Sequence, residues 1–302
     1  MKITSDAKPV SDALREAAEY AGSFLGDAID SFGCAIFDSL VRTGRQIHAK
    51  PVFTWLGGLL KAPFSLTGAI IKGLFGIVGG MLGGMIKIIA GIITLSSLKV
   101  VNGIWDIGSP VFGAIIVVAG KIAGWVQSIF YLQEFERPLT DHEKLELNRV
   151  FKDSLNYYVI RIVEGHSGLF GINRRPFTLG NTIYVKKWKN TVDLTVHETT
   201  HVWQNRHRGN RYTSDAIVAQ WFVKDAYNWQ KELSGRKKEH WVDFNMEAQA
   251  AFIEDLWMHG NPTFFSACGK KQSGHFEMSG TDYTNIANEV VSIISRPLFI
   301  FL

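Results

Sequence analysis

The sequence predicts a mainly α-helical protein in two parts: an apolar, glycine-rich helical region of membrane type, then an α+β domain. Three observations predict this. Residues 51–133 hold 15 of the 29 glycines and only six charged residues, Lys61, Lys72, Lys87, Lys99, Asp106 and Lys121. From residue 134 the chain regains ordinary globular composition, with acids and bases in near balance. There, helical periodicity alternates with short β-type runs.

These shifts define three segments: an N-terminal helix region at 1–50, the hydrophobic region at 51–133 and a domain at 134–302. A length of 302 residues suits such a division. The formal net charge of +4 sits on the middle segment, which carries five lysines against one acid. No Lys/Arg stripe is long enough to follow a phosphate backbone, so no nucleic-acid partner is expected. Cys34 and Cys268 are too few and too far apart for a disulfide framework or a cysteine metal site. They read as small core residues in a reducing compartment. The chain opens polar and acidic, without the basic start and apolar run of a secretory signal, so synthesis in the cytosol is expected.

Residues 11–45 read as an amphipathic helix, capped by Ser11 or Asp12 and ended by Gly44. Leu14, Ala17, Ala21, Phe24, Ala28, Phe32, Ile36 and Leu40 recur at three- and four-residue steps, a stripe expected to pack on a core.

In the middle segment the longest uncharged runs, 73–86 and 107–120, fall short of the ~18–20 residues of a clean membrane span. Admitting one lysine in each gives spans at 73–98 and 107–133, with Asp106 to Pro110 as the turn. Gly76, Gly80 and Gly84 form one four-residue ladder, Gly79 and Gly83 a second, and Gly120 and Gly124 repeat the spacing. In water each such glycine weakens a helix by ~1 kcal/mol relative to alanine. In lipid the same spacing lets helix backbones approach closely. Lys61, Lys72 and Lys87 fall within about 80° of one another on an unbroken helix, although Pro63 interrupts it. The expectation is a membrane-inserting helical hairpin with a thin basic edge; the alternative is a buried helical core or helices held by a partner protein.

In the third segment Thr140 and Glu143 form a capping box leading into a helix at 144–154. Residues 159–163 and 182–185 are candidate strands, the second following Gly180 and Asn181. Helices are expected at about 191–206, 214–233, 245–259 and 285–295, punctuated by Gly235, Gly260 and Pro262. The apolar run 297–302 closes the chain.

The chemistry lies in His197-Glu198-Thr199-Thr200-His201, an HExxH motif. Histidines four apart on a helix project from one face and can share one Zn²⁺. Glu198, rotated 100° from His197, stands beside the metal's open position, where it can act as general base. Residues 183–185 are a candidate edge strand for aligning an extended peptide. Two residues compete as third ligand. His207 has the spacing of the longer HExxHxxGxxH pattern, but Gln204 stands where that pattern needs a turn-making glycine. Glu247, at the start of the 245–259 helix, is preferred and would complete a His₂Glu site. Glu254, seven residues on and on the same helix face, could orient a ligand histidine.

Five stretches carry a resemblance to a known family: 137–143, 151–154, 181–184, 196–204 and 244–250. Together they resemble bacterial HExxH proteins presumed to be zinc peptidases of zincin, gluzincin-like type, often encoded beside Rhs/Vgr-type type VI secretion genes. The resemblance covers about 135–260. It implies a zincin-like fold there, His197, His201 and Glu247 as zinc ligands and Glu198 as base. One departure concerns the support of the ligands, because gluzincins place an Asp four residues after the ligand Glu and this chain has Ala251. The resemblance does not reach 1–133, although hydrophobic N-terminal segments look like those of secreted effectors that cross membranes. The expected function is therefore a zinc metallopeptidase, a toxin or effector acting on protein or peptide, with a secretion machine, chaperone or immunity protein as further partners. The competing expectations are a membrane-active or pore-forming protein whose zincin-like domain is structural, and a catalytically dead binding module.

Overall fold

The structure is a computed structural model, and it describes residues 9–172, 175–186, 191–260 and 274–296. Cys268, Pro262 and the 297–302 run lie outside the described residues. The fold is mainly helical. Three long helices come first: α1 (Val10–Gln46), α2 (Lys50–Ile93) and α3 (Ser97–Ile129). A strand β1 (Arg137–Pro138), helix α4 (Asp141–Phe151), β2 (Arg161–Glu164), β3 (Phe177–Leu179) and β4 (Thr182–Val185) follow. Then come α5 (Val192–Arg208), α6 (Arg211–Phe222), α7 (Trp229–Ser234) and α8 (Met246–His259). A small hairpin of β5 (Glu277–Met278) and β6 (Thr281–Asp282) precedes α9 (Thr284–Ile294).

The expected spans at 73–98 and 107–133 are corrected. The chain turns at Thr94 to Ser96, not at Asp106 to Pro110, and both helices run unbroken through Pro63 and Pro110. Ser96 accepts from the Lys99 amide and so starts α3. Pro110 removes the amide that would serve the Asp106 carbonyl, and that carbonyl instead packs against Gly80, where no side chain stands in the way. One ladder, Gly76, Gly80 and Gly84, faces α3; the other, Gly79 and Gly83, faces α1. A methyl carbon built on Gly84 would stand 2.5 Å from the Gly103 carbonyl oxygen, and one on Gly83 the same distance from that of Ser11. The backbones therefore touch, which only glycine permits.

The stripe on α1 is also corrected: it faces outward. Phe32 is 60% exposed, and Leu14, Phe24 and Leu25 are exposed as well. The buried face holds Gly22, Gly26 and Gly33 with Ser23, Asp27 and Asp30. Small residues let α2 approach, and the acids meet its lysines. Lys72 Nζ donates to Asp27 at 2.5 Å, and Lys87 Nζ to Asp12 and Asp106 at 2.7 and 2.6 Å. Lys61 bonds Glu136 at 2.6 Å. The lysine edge is thus sealed by carboxylates inside the bundle. The N-cap of α1 is Pro9 rather than Ser11 or Asp12, with no side-chain cap bond.

The result is an inverted distribution. Val52, Leu60, Leu74, Val78, Ile89 and Ile92 of α2 are exposed, as are Val101, Ile104, Phe112 and Ile115 of α3. At the α2–α3 turn Ile93 is 76% and Leu95 94% exposed. Lys99 is the charged group at this tip.

Beside the bundle lies a mixed sheet in the order β1-β2-β4-β3, with β2 and β4 parallel and both outer pairs antiparallel. The expected edge strand at 183–185 is interior, paired on both sides. The edge on that side is β3, joined to β4 by a two-residue turn in which Gly180 takes φ 61°, the Gly-first geometry of a tight hairpin. The Thr140–Glu143 capping box forms as expected. The expected 214–233 helix is two, α6 and α7, separated by a loop in which Asp225 takes φ 58° and Asn228 accepts from the Lys231 amide to start α7. Trp229, Trp241, Phe252 and Phe276 fill the core with Leu147, Ile162 and Val196.

Polar bonds join bundle and sheet. Asp27 accepts from Asn181 at 2.9 Å and faces Arg206 at 3.3 Å; Arg161 of β2 grips Asp38 with two bonds of 3.1 Å. Asp27→Leu is expected to lower stability by about 3–5 kcal/mol, because Lys72 is left buried without its counter-charge. The Asp27→Leu/Lys72→Leu double variant should recover part of the loss in denaturant unfolding.

Candidate metal centre

The site is built on α5 and α8. Asn245 caps α8, its side chain accepting from the Glu247 and Ala248 amides at 3.0 and 3.1 Å. That fixes Glu247 in the first turn, where the helix dipole favours a carboxylate. Helix α5 carries His197 and His201 on the face turned toward it.

His197 Nε2 lies 3.5 Å and His201 Nε2 3.3 Å from one oxygen, Glu247 Oε2. One ligand atom from each residue falls within 4.8 Å of the others, and all three residues are buried. Two ligands at about 2.0–2.2 Å from a tetrahedral ion stand about 3.3–3.6 Å apart, so the donors are spaced to share a metal such as zinc.

The remaining atoms are held from behind. His197 Nδ1 donates to Glu254 at 2.8 Å, and His201 Nδ1 to Gln204 at 2.7 Å. Both Nε2 atoms are thereby aimed at Glu247. Gln204 donates onward to the Met246 carbonyl and to Gln249, fixing its own orientation. Gln220 donates to the other Glu247 oxygen at 2.8 Å. Glu254, one turn beyond Ala251 on α8, thus holds the His197 imidazole.

Burial alone would lower the histidines' affinity for protons, but the Glu247 and Glu254 hydrogen bonds raise His197 to about 10, and Glu247 raises His201. Burial would raise Glu247, yet the two imidazoles hold it well below the usual carboxylate range. A metal ion would take over the charge compensation that these protons provide.

Glu198, also buried, points to the same cleft and accepts from the Thr178 hydroxyl of β3 at 2.8 Å. Burial raises its pKa above the ordinary value against the opposing charges of His201 and His197. The edge strand therefore positions the Glu198 carboxylate. Tyr227, in the loop between α6 and α7, stacks over His197 at 6.0 Å, and Tyr212 leans on His201 at 5.4 Å.

His207 is not brought to this site. It stacks on Trp203 at 4.0 Å, donates Nδ1 to the Trp203 carbonyl and lines a different cavity. Burial lowers its pKa to about 4. Helix α5 simply continues past Gln204, which turns residue 207 away.

Sequence reasoning missed Gln204, Thr178, Gln220 and Tyr227. Gln204, one turn past His201, was legible as a neighbour of its imidazole. The others reach the site through the β3 hairpin and the broken α6–α7 segment, which periodicity did not reveal.

No protein-family model matches the chain, nor does any curated protein or solved structure.

Replacing His197, His201 or Glu247 by alanine should reduce bound zinc, expected at about one ion per chain, by at least tenfold, whereas His207→Ala should retain it. Metal analysis of purified, unchelated protein checks this. An absence of transition metal from the unaltered protein would remove the metal site.

Proposed function

We propose that this protein is a zinc-dependent metallopeptidase. The observation that carries the reading is the convergence of His197, His201 and Glu247 on one point, with Glu198 beside them in a cleft of about 620 Å³. Bound there, Zn²⁺ would polarise a peptide carbonyl and lower the pKa of an attacking water to ~7. Glu198, held by Thr178, would accept a proton from an attacking water and could return it to the leaving amine. Glu254 and Gln204 keep the imidazoles in the orientation that a metal requires. The edge strand β3 beside Glu198 offers a backbone against which an extended peptide can align, which favours an α+β, zincin-like reading of 134–302.

The inverted bundle supports a membrane location for 51–133. Helices α2 and α3 are long and apolar enough to cross a bilayer, and their charges are turned inward except at Lys99 and the helix ends. Apolar groups outside and paired charges inside suit lipid, where each fully buried Ile or Leu contributes about 1.5–3 kcal/mol. In this reading the protein is a bacterial effector or toxin made in the cytoplasm and delivered into, or inserted in, a target-cell membrane. A secretion-machine component, chaperone or immunity protein would cover the apolar face beforehand.

Glu198→Gln should keep its zinc and lose at least 100-fold in hydrolysis of an unfolded protein substrate. Equal activity of both proteins would overturn the peptidase reading.

A second reading, a membrane-active or pore-forming protein with a structural zincin-like domain, is favoured by the exposed tip at Ile93 and Leu95. Full-length protein should bind anionic vesicles in a sedimentation assay, and Ile93→Asp/Leu95→Asp should weaken binding at least tenfold. Dye leakage that persists in Glu198→Gln would favour this second reading. A soluble monomer indifferent to vesicles would overturn both membrane statements.

A further inference from the structure

One wall of the metal-site cleft comes from the hydrophobic region itself: Ile116 and Gly120 of α3 line it. At Gly120 α3 lies so close to the edge strand that a methyl carbon there would stand 2.5 Å from a Leu179 methyl. Helix α3 is thereby pinned against β3, the strand that holds the base. Leu194 of α5 and Ile217 of α6 also line the cleft, as do Phe170 and Phe177, the latter stacked on Tyr184 at 4.8 Å. Among the described residues lining the cleft, Arg175 is the charged one apart from the candidate metal-site histidines and carboxylates.

From this lining, and resting on the peptidase reading above, we infer that the cleft selects polypeptides with a large apolar side chain next to the scissile bond, and that Ile116 is a specificity-determining residue. An apolar side chain gains contact with Ile116, Leu194 and Ile217. A charged one would lose its water there, and none of these three side chains can pair with it. Phe112 and Ile115, on the same helix, continue the apolar surface outside the cleft, so such a segment reaches the site along α3. Apolar segments of this kind occur in unfolded proteins and in membrane-embedded ones, and the chemistry of recognition is shared.

The test uses full-length, zinc-loaded protein and a matched set of fluorogenic peptides with Leu, Phe, Ser, Glu or Lys at the position flanking the cleaved bond. Expected is a kcat/KM at least tenfold higher for Leu or Phe than for Glu, the discrimination that an apolar pocket supplies. Ile116→Asp should remove that preference and raise cleavage of the Lys peptide relative to Leu by at least tenfold, with zinc content unchanged. Ile116→Leu should keep it, which guards against a folding defect. Presenting the Leu peptide free in buffer and anchored in vesicles by an apolar tail separates the two sources: faster cleavage of the anchored form assigns the membrane source, equal rates the unfolded one. Hydrolysis that depends on Glu198 but shows equal rates across the peptides would overturn the inference while leaving the peptidase reading intact. No Glu198-dependent hydrolysis of any peptide, or of unfolded protein, would overturn both.

Discussion

The structure hangs on the carboxylate of Asp27. One of its oxygens accepts from Lys72 of α2 and from Asn181 in the β3–β4 turn; the other faces Arg206 at the end of the HExxH helix. A single buried side chain thus ties the helical bundle, the edge hairpin and the metal helix together. Asp30 repeats the bond to Asn181 one turn along α1. An ion taken out of water needs several partners to offset its lost hydration, and each partner here comes from a different element. The relative placement of α3, β3 and α5, and so the shape of the cleft, follows from satisfying that charge.

The same requirement explains the inverted bundle. Lysines at 61, 72 and 87 share one side of α2, and carboxylates from α1, α3 and residue 136 close over them. Glycines between these pairs bring the backbones close enough for the bonds to form. Once one face of each helix is committed to small and charged groups, the apolar residues can only face outward. An amphipathic stripe does not itself say which face is buried. On α1 the ordinary assumption, apolar inward, fails because the competing face offers paired charges and close backbone contact instead.

In the metal site, spacing and chemistry agree at each level. The two imidazoles four apart, with Glu198 beside them, follow from the geometry of an α-helix, and the tertiary fold brings the Glu247 carboxylate of α8 within 3.5 Å of both rings. What surrounds them depends on breaks in regular structure. A two-residue turn at Gly180 makes β3 the edge and delivers Thr178 to Glu198. An interruption after Phe222 delivers Tyr227 to His197. These are decided by single residues with unusual backbone angles or side-chain caps, against a background of otherwise continuous periodicity.

By itself the sequence determined the helical class, the apolar and glycine-rich character of 51–133, the strand at 182–185, the capping box at Thr140 and the HExxH pair with Glu247 as preferred partner. All but the choice of Glu247 are local: they follow from composition, or from a spacing that one helix or strand repeats. The tertiary structure alone decided where the α2–α3 hairpin turns, which face of α1 is buried, which strand is the edge, and that α3 forms a wall of the cleft. It also turned His207 away from the site. Those outcomes rest on contacts between residues far apart in sequence, such as Asp27 and Asn181, 154 positions apart. Such a contact offsets the lost hydration of a buried charge with partners that meet it only in the fold, so no window of sequence contains it.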